Sequence, residues 1–590
     1  MHSQTVSPFR SALAVLMALA SAPIYFSAGS PAETPVSNTT QGMVFLQHCE
    51  PRFRDGLAKH GLLEGAGYRL HNTGMTRHVF GETWSNSPLI DTAKNSGELY
   101  YFDRLCGGMS YQSLDGIGAI ADALKDDPKF LGFQVHEWGN SPIHDYERIH
   151  KLILDKGDPF DEEHFAQFEG RVESPYFSAG DFSVYRDVYQ ELSNLDDVEQ
   201  YLERYFAKMV EMTSGQVMSV TGFGQLYHAA FRLGAKNVMP EIGNQVPLSA
   251  LQIAFARGAA REYGKPFGVY YEPWGGAPMG CVCALTFSPW FPDYPELKKV
   301  MDGYNIGREF GSSRSLQRRL LYFSWLSGAS FYGEEWGAEN YFGNWEEYPL
   351  TEYGKIVQEF DAFNRRFSRP EPVVPAALIM PPDTFGVDIR YVAGYTDKLW
   401  RMAEGDSFHA QLRSFARDLY ATQRAVSGGD SHNLTPSPWI GGFDVLSANA
   451  PQDVIDSYLL VVYFDAEQAN QSKIPAERRF VYEGSKESAD ACIERLRTLL
   501  PYRVEGKVGS AQARSDGRDL LGVFNNLGIS KTTANGEVAD PAATQDVTVS
   551  GACSEVEVLI GGEYIVGSDA DQISMRVPAG QVVVLSFPDR

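Results

Sequence analysis

Cysteine is scarce in this chain. Six occur in 590 residues, at Cys49, Cys106, Cys281, Cys283, Cys492 and Cys553. They are too few and too scattered for a disulfide-built scaffold, although compatible with an oxidising compartment. Cys281-Val282-Cys283 lacks the further ligands at matched spacing that a tetrahedral metal site needs, so it reads as structural and no metal is called. Basic residues are also short: 51 Lys and Arg stand against 75 Asp and Glu, a formal charge of -24. An acidic surface repels phosphate, which argues against nucleic acid as a partner and weakly against highly anionic polymers. There is no internal repeat and no low-complexity tract. Beyond the N-terminal residues there is no apolar run long enough to cross a membrane.

Apolar and aromatic residues are plentiful, at 43% and 13%. That is enough for large packed cores, and the length suits several domains. Tyr and Trp serve cores, but they also form platforms for flat apolar ligand faces such as sugar rings. At the start, Arg10 precedes an apolar stretch from Ala12 to Phe26 and then small residues. Residues 1–29 therefore read as a secretory signal peptide, with an uncleaved anchor as the alternative, and 30–42 as a flexible leader. The expected location is secreted or periplasmic. Sequons at Asn38, Asn433 and Asn470 would matter only in a eukaryotic secretory route.

From 43 to 369, short β-like runs alternate with helical patterns. The runs are Tyr68–Asn72, Glu98–Asp103, Leu131–Glu137, Gln216–Thr221, Asn237–Glu241, Pro266–Glu272 and Ala329–Glu334, with an eighth near Met43–Gln47. Alternation on this scale predicts a (β/α)8 barrel. Pro159 to Gly215 is a long insertion between two strands. After the Pro370-Glu371-Pro372 linker, 370–510 reads as a smaller open α/β domain, flavodoxin-like, and 511–590 as a C-terminal β-sandwich.

Several barrel strands end in a carboxylate. "GFQVHEWGN" ends in Glu137, "NVMPEIGN" carries Glu241, and "PFGVYYEPWGG" carries Glu272. "ASFYGEEWG" carries Glu334 and Glu335, and "ELYYFDR" carries Asp103. Function in a parallel barrel sits at the C-terminal strand ends. A ring of acids there is what glycosidic cleavage uses: one carboxyl protonates the leaving oxygen, and a second attacks or stabilises the anomeric carbon. Each acid taken singly could instead cap a helix or pair with an Arg. Trp138, Trp274 and Trp336 each follow an acid closely, as sugar platforms do.

These residues carry a family resemblance. "FLGFQVHEWGN" resembles the fourth-strand motif of clan A retaining (β/α)8 glycoside hydrolases, and most resembles the "GWQVDNEYG"-like segment of the family-42 β-galactosidases. The resemblance implies an acid/base role for Glu137. It departs at His136, where the family has Asn. "RGAAREYGKPFGVYYEPWGG" resembles the helix and seventh strand of that family, which implies a nucleophile at Glu272. "RRLLYFSWLSGASFYGEEWG" resembles the helix and eighth strand, which places Glu334, Glu335 and Trp336 at the pocket. The domain order is similar, and a trimer is implied by the second domain. The four-cysteine zinc site of some members is absent.

The expectation is a retaining glycoside hydrolase of an oligo- or polysaccharide, such as a galactoside, needing no cofactor. Glu137 and Glu272 are the catalytic candidates, with pairs involving Glu241 or Glu335 left open. His136, Trp138, Asp103, Arg104, Glu241, Asn244, Tyr271, Trp274, Glu334, Glu335 and Trp336 are the substrate-binding candidates. His71, Asn72, Arg77, His144 and Tyr332 are softer ones. Two other classes compete: a carbohydrate-binding protein that does not hydrolyse, and a metal-dependent hydrolase, for which His136, His144 and Asp145 match no signature.

Overall fold

The computed structural model describes residues 42–71, 88–106, 117–139, 187–244, 248–274, 311–335, 337–381, 434–531, 536–551 and 553–588, with short pieces between them. Residues 1–41, which cover the expected signal peptide and nearly all of the expected leader, and the aromatic part of the 159–215 insertion lie outside these residues. Among the described residues no helix is long and apolar enough to cross a membrane.

Eight parallel strands close a barrel. They are β1 (Val44–His48), β2 (Gly67–His71), β3 (Tyr100–Cys106), β4 (Phe130–His136), β5 (Val217–Thr221), β6 (Asn237–Gly243), β7 (Val269–Glu272) and β8 (Phe331–Glu334). The expected run near Met43–Gln47 is β1, and it closes the ring by pairing with β8, Val44 opposite Phe331. The "GFQVHEWGN", "PFGVYYEPWGG" and "FYGEEWG" segments thus sit on the fourth, seventh and eighth strands.

The strands read as nearly continuous apolar runs because both faces are covered. Side chains alternate across each strand. One face, including Leu46, Tyr101, Met218, Val220, Met239, Tyr270 and Phe331, fills the barrel interior, joined by Leu131, which precedes an irregularity at Gly132 that resets the alternation of β4. The other, including Phe45, Phe102, Phe133, Val135, Val238, Val269, Tyr271 and Tyr332, packs outward under the helices. Helix α1 (Leu195–Met212) opens with a reciprocal capping box between Asn194 and Asp197. Helices α2 (Ser249–Tyr263) and α3 (Arg314–Leu326) cover strands 6 to 8 and are buried along most of their length.

Beyond the barrel, four parallel strands form a second sheet: β9 (Ala376–Ile379), β10 (Phe443–Leu446), β11 (Leu460–Tyr463) and β12 (Arg479–Val481). Their spatial order is β10-β9-β11-β12, the start of the flavodoxin-like order. This sheet docks on α2. Arg257 Nε donates to Asp444 Oδ1 at 2.5 Å, Arg261 Nη1 lies 2.9 Å from Asp444 Oδ2, and Tyr458 donates to Asp444 Oδ2 at 2.7 Å. Asp444 is fully buried, so its charge is tolerable only with these partners. Gly258 allows the close approach: a Cβ there would lie 1.9 Å from the Val445 carbonyl oxygen.

The C-terminal region is a sandwich of two antiparallel sheets, of five and four strands. Val504, Leu521, Val523, Val547, Val549, Ile573, Met575, Val583 and Leu585 fill the space between them. The Pro370-Glu371-Pro372 segment is more than a linker. Glu371–Pro372 adds an edge strand to the five-stranded sheet, with Glu371 opposite Arg514. A proline suits an edge because no ladder donor is required of it there.

Candidate active site

The carboxylates sort by strand parity. On β6, Met239 points inward, so Glu241 does too. On β7, Tyr270 points inward, so Glu272 does too. Pairing sets their heights: Glu241 lies opposite Tyr270, and Gly243 opposite Glu272. Glu272 therefore stands one inward layer closer to the mouth than Glu241. Both are buried.

Glu137 reaches the same mouth by a different route. His136 ends β4 facing the interior, where its ring lies 5.7 Å from that of Tyr270. Alternation alone would turn Glu137 outward. Instead its φ is +47°, in the left-handed region that a residue with a Cβ rarely enters. Such a conformation costs on the order of 1–2 kcal/mol. The turn brings Glu137 Oε1 to 3.8 Å from His136 Nε2 and leaves the side chain 35% exposed. One ligating atom each of His136, Glu137 and Glu241 lie within 4.8 Å of one another. Gln134, the next inward residue below, contacts His136 Nδ1 through its side-chain amide at 3.0 Å.

Trp138 holds this turn from behind. Its indole N–H donates to the Leu202 carbonyl at 3.1 Å, and its ring packs on Phe206 with centroids 4.3 Å apart. Thr221 Oγ1 donates to its backbone carbonyl. It is fully buried in the outer core. The expectation of a sugar platform at Trp138 is corrected: the reversed turn that swings Glu137 in sends Trp138 out.

Beneath the mouth lies a buried ion pair that the sequence reading missed on one side. Arg69 of β2 points inward and donates from Nε to Asp103 Oδ2 at 2.9 Å, and from Nη2 to the same oxygen. Nη2 also donates to Tyr270 Oη at 3.4 Å, and Nη1 to the Glu334 carbonyl. Both charged side chains are essentially inaccessible, so Asp103 serves the floor through Arg69 and does not stand at the solvent-facing rim. His48 closes β1 beside them, with Nδ1 3.2 Å from Glu50 Oε2. Gly337, at φ +41°, fits over this cluster because a Cβ would meet the His48 ring at 2.9 Å.

Two further expectations are corrected by parity. Tyr271 lies on the outer face, where its hydroxyl bonds Ser312 and, through it, Tyr353. Glu334 also faces outward. It accepts from Gln317 at 3.3 Å, Tyr332 at 3.4 Å, Asn340 at 3.1 Å and Tyr341 at 3.2 Å. Burial outweighs these four donors and pushes its carboxyl up to about 8, so it is largely neutral at pH 7. Tyr332 likewise belongs to this outer network. The neighbouring Glu335 is placed differently: it accepts the Trp274 indole N–H at 2.8 Å, tying the ends of β7 and β8 together. Arg104 and His71 fall on strands β3 and β2, and nothing is described of their side chains. Asn72, Arg77, His144 and Trp336 lie outside the described residues.

The Glu334 site has a measurable consequence. An unfolded glutamate ionises near pH 4.5, whereas the folded one stays protonated up to about pH 8. Below 4.5 both states bind the proton and the group is neutral toward stability. Between 4.5 and 8 the unfolded state is favoured by about 1.4 kcal/mol per pH unit, and above 8 the penalty is constant. Glu334→Gln should therefore gain stability over the parent chain by a few kcal/mol between pH 5 and pH 8. Urea midpoints at the two pH values read this directly, and an equal difference at both would contradict it.

Asn244, one residue past β6, is buried, and neither its amide oxygen nor its nitrogen has a hydrogen-bond partner among the described residues. A buried amide left unsatisfied costs about 1–3 kcal/mol, a cost that a bound hydroxyl would offset. The site therefore offers inward carboxylates, an imidazole and an unsatisfied amide at one end of a closed barrel.

No protein-family model matches the chain, and no curated protein does. Solved structures are similar to it. The cold-adapted β-galactosidase from Rahnella sp. R3 is 9% identical, over 93% of this chain and 99% of that one, at a TM-score of 0.42. A catalytic mutant of a GH42 β-galactosidase from G. stearothermophilus is 9% identical, over 94% and 99%, at a TM-score of 0.47. A β-galactosidase from the haloarchaeon Halorubrum lacusprofundi is 10% identical, over 93% and 99%, at a TM-score of 0.42. At such identity no residue role passes from them to this chain.

Proposed function

We propose that this protein is a glycoside hydrolase acting on an oligo- or polysaccharide outside the cytoplasm, with Glu137 as acid/base and Glu272 as nucleophile. The observation that carries the reading is the turn at Glu137. A left-handed glutamate at a strand end is unfavourable, and it sets an accessible carboxyl beside the inward Glu241 of β6, at the mouth toward which Glu272 of β7 also faces. Strain kept at such a position is a mark of function. Glu137 would protonate the departing oxygen while Glu272 attacks the anomeric carbon. Water, activated by the same Glu137, would then release the sugar. Asn244 would bind a sugar hydroxyl. The Trp274–Glu335 pair would border the pocket between the seventh and eighth strands.

A specific observation favours a second assignment, in which Glu241 replaces Glu272. It is Glu241 that shares the cluster with Glu137 and His136. Reducing-sugar release from galactans, glucans and mannans tests the function, and azide tests the assignment. Loss in Glu272→Ala, with turnover restored by azide as an external nucleophile, is expected. Rescue in Glu241→Ala instead would move the nucleophile to β6. Glycan binding without release from any polymer would favour a carbohydrate-binding protein.

A further inference from the structure

We propose that His136, Glu137 and Glu241 form a binding site for one first-row divalent transition-metal ion, with Zn2+ as the best-suited ion. The argument starts from donor type. An imidazole and two carboxylates make a mixed nitrogen and oxygen set, which favours zinc and its neighbours over Mg2+ and Ca2+. Geometry follows. Ligand atoms about 2.0–2.2 Å from a tetrahedral ion stand about 3.3 Å apart. His136 Nε2 and Glu137 Oε1 are 3.8 Å apart, and all three donors fall within 4.8 Å of one another. Small side-chain shifts would bring them onto one ion.

Orientation is also provided. Gln134 lies 3.0 Å from His136 Nδ1. The atom placed there is the amide nitrogen Nε2; with the amide turned over, its oxygen would accept from Nδ1–H and leave the Nε2 lone pair of His136 toward the two acids. Metal-bound histidines are oriented in this way by an outer partner on the other ring nitrogen. His136 and Glu241 are buried on strands of the barrel, and Glu137 is open enough to solvent to admit an ion. Three protein ligands would leave a coordination position for water or a sugar hydroxyl. A bound ion would also occupy the Glu137 carboxylate, so metal and proton donation would exclude each other; that corollary alone rests on the hydrolase reading.

Crystals of the unaltered full chain soaked in ZnCl2 test the site without any substitution. An anomalous difference peak among the three side chains is expected. No peak there, or a peak only elsewhere, would overturn the proposal. In solution, titration calorimetry with Zn2+ should give one saturable site. His136→Asn, which keeps both carboxylates, should weaken it at least tenfold, and Glu241→Gln similarly. Mg2+ should bind far more weakly than Zn2+. Zn2+ affinity unchanged in both folded variants would overturn the site. These readouts need no substrate, so a protein that binds zinc but cleaves no glycan would refute the proposed hydrolase and leave the metal site standing.

Discussion

Glu137→Gln should lower kcat/KM on unactivated oligosaccharides by about 10²–10⁴-fold, the usual range for loss of a positioned general acid. An aryl glycoside with a good leaving group should lose far less, because its departing oxygen needs no proton. Gln is nearly isosteric with Glu, so the left-handed turn and the Trp138 anchor behind it remain in place. The two substrates therefore report chemistry with the fold held constant. Measuring kcat/KM confines the comparison to the first step and excludes slow release of the glycosyl enzyme. Equal losses on both substrates would remove Glu137 from the acid role.

Asp103→Ala should destabilise the chain by about 3–5 kcal/mol, the range found when one partner of a buried ion pair is removed. The reason is what stays behind. Arg69 is inaccessible to solvent and takes its strongest bonds from Asp103. Without them a buried guanidinium loses its described carboxylate partner and keeps hydrogen bonds to a phenol and a carbonyl. Replacing both residues by apolar ones, as in Arg69→Met with Asp103→Leu, should cost less than the single change, because no charge is stranded. Urea unfolding of the three variants decides it. A single variant within about 1 kcal/mol of the parent would mean that water or another group reaches Arg69.

The barrel was legible in the sequence because parallel strands are buried on both faces and so stand out as apolar runs. All eight runs fall on observed strands, including the weakly marked Met43–Gln47, which is β1. The strand-end acids were legible for the same reason: charge at the end of an apolar run is conspicuous. What the sequence concealed was which face each residue takes. Tyr271 and Glu272 are adjacent and so must point oppositely. Once Glu272 is placed inward, Tyr271 belongs to the outer core, and the period-2 rule alone carries that information. Glu334 fails by the same parity. Trp138 fails for a reason that periodicity does not hold, the reversed turn at Glu137. Arg69 went unnoticed although a charge inside the run "GYRLH" was a signal that a buried partner had to exist. The second sheet and the sandwich were readable from their runs. The edge strand at Glu371–Pro372 was not, because two prolines flank a charge there and the pairing partner lies far along the chain.

Ring closure by β1 and β8 has a consequence for how the chain is made. β1 leaves the ribosome long before its second neighbour, Phe331–Glu334. Until then one flank of β1 presents unpaired amides to the cell. The strand at 371–372 waits likewise for residues 513–514. Assembly from such distant pieces is slow, and open strand edges invite pairing with other chains. Yield from a recombinant host should therefore depend on holdase chaperones and on translation speed more than on the final stability of the folded product.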